Sequence, residues 1–208
     1  MKSHKISEGI AIFVAIAGAI VMTGWVFNID ILKSILPVWV TMKAATAISF
    51  ILSGVIVYFI ARAQQKSSGV APVVLSVITM VLLLLMATHL LANCLGLRLG
   101  LDDLFVKESD EAVMSVVPGR PSVATMIEFI LIAAAGVLTL LNPANLKRWL
   151  LFLGWVVMFI GGMAVIGYIF RTPSRYYYIK GVSTAMAFHT SILFVLSGLG
   201  LVFSVSER

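Results

Sequence analysis

Charge is scarce in this 208-residue sequence: Asp, Glu, Lys and Arg make up 12% of it, against about 25% in an ordinary soluble domain. With 61% of the residues hydrophobic, water cannot be the main solvent. Cysteine is nearly absent too. The lone Cys94 excludes an intrachain disulfide and a thiolate cluster, and reads as a small apolar residue at a helix end. The sequence holds no Gly-rich phosphate loop, no HExxH, no nucleophile elbow and no kinase motif, so the chain itself is expected not to be an enzyme. A basic block is missing as well: the 15 Lys and Arg, for a net charge of +6, are dispersed between apolar runs. That distribution argues against nucleic acid as a partner and for anionic lipid headgroups.

What the sequence does have is long apolar runs. They fall at about 9–28, 42–61, 71–93, 122–141, 148–170 and 184–204, each bounded by charges, Pro or polar residues. A hydrocarbon core needs about 20 apolar residues per helix, and a backbone in lipid must satisfy its own hydrogen bonds. These runs therefore predict six transmembrane helices in one domain, 1–208. The basic start Met1 to Lys5 resembles a secretory leader, but the run that follows continues from Ile10 to Phe27. It is too long for the apolar region of a leader and predicts a retained first span.

Short connections, Arg62 to Val70 and Asn142 to Lys147, alternate with long ones at 29–41, 94–121 and 171–183. The short side carries Lys2, Lys5, Arg62, Lys66, Lys147, Arg148 and Arg208 against Glu8 and Glu207. Basic residues dense in short loops place that side, and both termini, in the cytoplasm. The expected location is the inner (cytoplasmic) membrane, crossed several times.

A motif recurs in the even spans. The second span reads Met42-Lys-Ala-Ala-Thr46-Ala-Ile-Ser-Phe50-Ile-Leu-Ser-Gly54 and the sixth Met186-Ala-Phe-His-Thr190-Ser-Ile-Leu-Phe194-Val-Leu-Ser-Gly198. The fourth has Pro121, Thr125, Phe129 and Ala133 at the same offsets. Four residues advance a helix by about 400°, so Thr, Phe and the small residue share nearly one face, expected to look inward, with Gly54, Ala133 and Gly198 letting neighbouring backbones approach closely. The odd spans correspond through Gly24-Trp25, Ala92-Asn93 and Gly167-Tyr168 near their long-side ends. The expected architecture is all-α: three repeated helical hairpins, at about 8–65, 70–142 and 147–206, in a pseudo-threefold bundle around a long-side cavity.

These residues resemble a known family. Gly24-Trp25 through Ile29, Leu36-Pro37, Trp39-Val40-Thr41-Met42-Lys43 and Thr46-Ala47 are similar to the first unit of a six-helix, MASE-like sensor module. That module stands N-terminal to PAS/histidine kinase and PAS/GGDEF diguanylate cyclase domains. Leu99 to Phe105 with Pro118-Gly119-Arg120 resembles its second unit, and Gly167-Tyr168 through Met186 to Thr190 its third. The family often has an acidic-aromatic pair near Ala92-Asn93, which this chain lacks. The resemblance implies a signal-input domain, a homodimer, and a cytoplasmic kinase or cyclase output, attached or separate. Copper-linked MHYT sensors are a different repeated class, whose Met-His-Tyr-Thr motif is absent.

Several residues could carry chemistry. Glu128 lies inside the fourth span, where an ionisable group is expensive and points to function. His89 and His189 lie at comparable depth in the third and sixth spans and could ligate haem iron if they faced one another; no other metal site is expected. Lys43, Arg120 and Lys180 ring the long-side mouth and could hold an anion, with Trp25 and Tyr168 beside them as ligand contacts. An amphipathic segment at 29–36, with Ile31, Leu32, Ile35 and Leu36 opposite Asp30, Lys33 and Ser34, is expected to roof that mouth, as are Tyr176 to Tyr178. The alternatives to an input domain are a haem-binding cytochrome or haem-based sensor using His89 and His189, and a small transporter.

Overall fold

The computed structural model describes residues 2–36, 38–64, 69, 71–102, 104–106, 108, 114–177 and 184–206. Among them it has α1 (Lys2–Val26), a short α2 (Asp30–Lys33), α3 (Ala44–Ala63), α4 (Ala71–Cys94), α5 (Val123–Leu141), α6 (Leu146–Ile169) and α7 (Phe188–Val205), with a 3-10 turn at Pro173–Arg175 and no strand. Six of the helices are long and apolar enough to cross a membrane. The protein is a multi-pass, all-α membrane protein whose six predicted spans match these helices to within a few residues, except at the first. There α1 starts at Lys2, because its polar first turns pack on the end of α7: Ser3 Oγ donates to the Phe203 carbonyl at 2.9 Å and Ser7 Oγ to that of Gly200 at 2.7 Å. These bonds put both chain ends at the same end of the bundle.

Each long helix that follows a long connection packs on the one before it: α3 on α1, α5 on α4, α7 on α6. The earlier helix of each pair also touches a neighbour, α1 against α7, α4 against α3 and α6 against α5. Half or more of α3, α5 and α7 is buried, against 28% to 39% of α1, α4 and α6. The apolar surface left outside, including Phe13, Leu84 and Phe159, is what lipid would cover.

The inner helices start alike. Lys43, Ser122 and Ala187, each three residues before the motif Thr, are N-caps with φ near −70° and ψ near 150°. The outer helices end alike. Asn28, Gly96 and Arg171 adopt positive φ of 55°, 64° and 53°. The next amide then reaches back: Ile29 to the Gly24 carbonyl, Leu97 to Ala92 and Thr172 to Gly167, at 2.8, 2.9 and 2.8 Å. This is the left-handed cap that satisfies otherwise orphaned helix carbonyls.

Phe50, Phe129 and Phe194 are completely buried and mutually in contact, with ring centroids 4.7 to 4.8 Å apart. The motif Thr residues, Thr46, Thr125 and Thr190, are buried one turn nearer the long loops. Gly54 and Gly198 allow the expected close backbone approach, but toward the outer helices and not along an inward stripe. A side chain at Gly54 would meet the Ala11 carbonyl and Ala15 of α1, and one at Gly198 the Gly154 carbonyl and Met158 of α6. The reason is geometric: each four-residue step overshoots a turn by about 40°, so the position after Phe rotates toward the outer helix. In α5 Ala133 is buried at that position, and the close approach moves to Gly136, which abuts Thr79 of α4.

The 29–36 segment also departs from expectation. Helix covers only Asp30–Lys33, and Lys33 and Ser34 are buried while Ile31, Ile35 and Leu36 are exposed. Lys33 lies over the Trp25 ring, 5.1 Å from its centroid, and its amine reaches back to the exposed Asn28 Oδ1 at 2.6 Å and Asp30 Oδ1 at 2.8 Å.

Candidate functional site

The long-loop end of the bundle concentrates the polar and aromatic side chains. Trp25, in the last turn of α1, donates its indole N–H to the Met42 carbonyl at 2.8 Å, and the Met42 amide donates to Lys33 at 2.8 Å. Tyr168, in the last turn of α6, donates to the Met186 carbonyl at 2.8 Å, and the Met186 amide donates to Tyr176 at 2.8 Å. Gly24 and Gly167, one residue earlier, let the returning chain lie against the helix: a side chain there would strike Leu32, or Arg175 and Tyr176. Tyr168 stacks on Tyr176 at 3.9 Å, and Trp39 lies 5.1 Å from Tyr168 and 4.9 Å from Phe188. Trp39 thereby ties the first long connection to the start of α7. In the middle pair Asn93 makes no such anchor; Arg120 instead reaches the Leu97 carbonyl at 2.6 Å.

Two buried ion pairs fasten the 94–121 connection. Lys43 Nζ contacts both carboxylate oxygens of Glu108, at 2.6 and 2.7 Å, and Ser115 Oγ at 2.5 Å. Glu108 also accepts from Thr41 Oγ1 at 2.8 Å and from the Gly119 amide at 2.7 Å. Burial pulls the Lys43 amine below its ordinary value of 10.5, and the Glu108 carboxylate opposes that shift. Arg120 grips Asp102 with two parallel bonds of 2.9 and 2.6 Å, the fork geometry that suits a guanidinium to a carboxylate. Gly119 has φ +77°, and a side chain there would run into the Asp102 carbonyl; only glycine fits.

Lys43 and Arg120, expected to hold an external anion, are thus each neutralised from within. Glu108 and Asp102 were not singled out from the sequence as partners for these cations. The usable signal is that a cation at the start of a buried helix needs a partner, and the 94–121 connection is the acid-rich one. Lys180 and Tyr178 lie outside the described residues.

The buried polar atoms that lack a hydrogen-bond partner among the described residues include both oxygens of Glu128, His189 Nε2, Thr190 Oγ1 and His89 Nε2, along with Ser53 Oγ and Thr79 Oγ1. Glu128 is fully buried beside the backbone of Gly161 on α6. His89 uses Nδ1 on the Leu85 carbonyl at 2.8 Å, which leaves Nε2 facing Asp102 Oδ1 at 3.8 Å. Among the described residues no three His, Cys, Asp or Glu side chains gather as a metal site.

The geometry defines a six-span bundle whose long-loop end is stapled by two buried ion pairs and an aromatic cluster. No family model, curated protein or solved structure matches the chain.

Proposed function

We propose that this protein is the membrane-embedded signal-input domain of a histidine kinase or diguanylate cyclase, in the inner membrane with both termini cytoplasmic. The observation that carries the reading is the placement of α7. It starts beneath Trp39 and Tyr168, contributes Phe194 to the central aromatic triad, and ends against α1 through the Ser3 and Ser7 bonds. A disturbance at the long-loop end therefore has a packed, continuous route to the chain's cytoplasmic end, where a small shift of one helix is a known way to pass a signal. The three-ring contact of Phe50, Phe129 and Phe194 fills the bundle axis, which favours signalling over conduction. The chain itself carries no catalysis in this reading; kinase or cyclase activity belongs to the output, and a homodimer is expected from the family resemblance.

The test joins the chain to a cyclase or kinase output and measures its activity with Thr190 and Phe194 replaced by Ala. Changed basal or stimulated output is expected; unaltered output in a folded double variant refutes the coupling. Solute flux in liposomes would establish the transporter alternative instead. The haem alternative has one specific support, since His89 has Nδ1 on the Leu85 carbonyl as metal-ligating histidines commonly do, and its Nε2 would have to turn from Asp102 to the iron. A Soret band lost in His189→Ala would establish it.

A further inference from the structure

We infer that the donor cradle around Lys43 is a carboxylate-binding site whose tenant is the protein's own Glu108. The inference rests on the input-domain reading for its meaning, as it names the ligand class. Three donor groups, Lys43 Nζ, Thr41 Oγ1 and the Gly119 amide, converge there on Glu108, and Ser115 Oγ accepts a further bond from Lys43. Lys43 comes from the cap of α3, Thr41 from the strand of chain leading to it, and Ser115 and the Gly119 amide from the second half of the 94–121 connection. All three donors are bonded directly to Glu108, with both carboxylate oxygens doubly served.

The cradle is built by its surroundings. Gly119 is held on the Asp102 backbone at positive φ, and the neighbouring Arg120 is locked by its fork to Asp102. Lys43 is fixed as the N-cap of α3. Glu108 supplies only a carboxylate at the end of a flexible side chain, so another carboxylate can take its place without rebuilding the donors. The Asp102–Arg120 pair is the anchor and the Glu108–Lys43 pair the exchangeable contact. A small molecule bearing a carboxylate would displace the Glu108 side chain from Lys43 and leave the Asp102–Arg120 staple closed.

A tethered competitor lowers apparent affinity by the fraction of time the site is free. Removing it should therefore expose stronger binding. Isothermal titration of the purified full chain with acetate and succinate, at constant ionic strength in chloride, tests this. Glu108→Ala is expected to bind acetate saturably at one site per chain and at least about tenfold more tightly than the unmodified protein. Binding should vanish when Lys43→Gln is added. Should Glu108→Ala not fold, Glu108→Asp, whose tenant is one methylene short, is expected to bind between the two.

A folded Glu108→Ala or Glu108→Asp that takes up no acetate overturns the site. So does binding that survives loss of Lys43, or sulfate binding as well as acetate does. Because binding is read on the chain alone, its failure leaves the coupling experiment above untouched, and failure of coupling leaves the site standing.

Discussion

Trp25 and Met42 are joined by a 2.8 Å bond from the indole nitrogen to the carbonyl oxygen, and Tyr168 and Met186 by a bond of the same length. In both cases an aromatic residue in the last turn of an outer helix holds the chain just before an inner helix. A buried carbonyl that loses its donor costs about 1–3 kcal/mol. Trp25→Phe and Tyr168→Phe, which keep ring bulk, are each expected to lower stability by about that amount, read as the midpoint of thermal unfolding in detergent. If both variants melt with the unmodified protein, the two bonds do not anchor the inner helices.

The Asp102–Arg120 pair gives a second expectation. Removing one partner of a buried pair strands the other charge and costs about 3–5 kcal/mol, whereas replacing both with apolar groups is often nearly neutral. Arg120→Ala should therefore be strongly destabilising, and Arg120→Met combined with Asp102→Leu should recover most of the loss. Arg120→Lys should not rescue, because an ammonium cannot make the two parallel bonds and reach the Leu97 carbonyl together. Unfolding midpoints of the four proteins, compared at low and high salt, check this; a salt-sensitive loss would mean that the pair is exposed.

The spans were legible because lipid imposes one crude rule, about 20 apolar residues per helix, and six runs obey it. The Thr and Phe positions of the motif were legible as buried for a related reason, since a polar Thr recurring at fixed offset has little business facing acyl chains. The ion pairs were not. Lys43 and Glu108 are 65 residues apart and share no periodicity, so nothing local marks them as partners. The shift of close approach from Ala133 to Gly136 was hidden as well, because it depends on how α4 is rotated against α5.

The aromatic triad supplies a third expectation. Phe129 is fully buried between Phe50 and Phe194, whereas Phe159 on α6 is 69% exposed on the outside of the bundle. Truncating a core Phe to Ala costs about 3–5 kcal/mol through lost contacts and the cavity left behind. A surface substitution usually stays within about 0.5 kcal/mol. Phe129→Ala should thus destabilise severely and Phe159→Ala hardly at all in detergent unfolding. Equal losses would mean that the rings do not form the structural centre.

Two adjacent glycines of α6 make the sharpest contrast. A methyl added at Gly161 would lie 2.8 Å from the Ser191 carbonyl and 3.0 Å from Phe194 Cβ, while one at Gly162 would meet nothing within 4 Å. Overpacking a close helix contact costs about 1–3 kcal/mol, and Ala in an open helical position is better than Gly by up to about 1 kcal/mol. The same substitution one residue apart should consequently have opposite signs: Gly161→Ala destabilising, Gly162→Ala neutral or stabilising. The first would also push α7 away from α6 at the level of Phe194 and beside the Glu128 carboxyl, so it should alter output in the coupled protein, whereas the second should not. Output that responds to Gly162→Ala and ignores Gly161→Ala would show that the contact between α6 and α7 is not on the route of the signal.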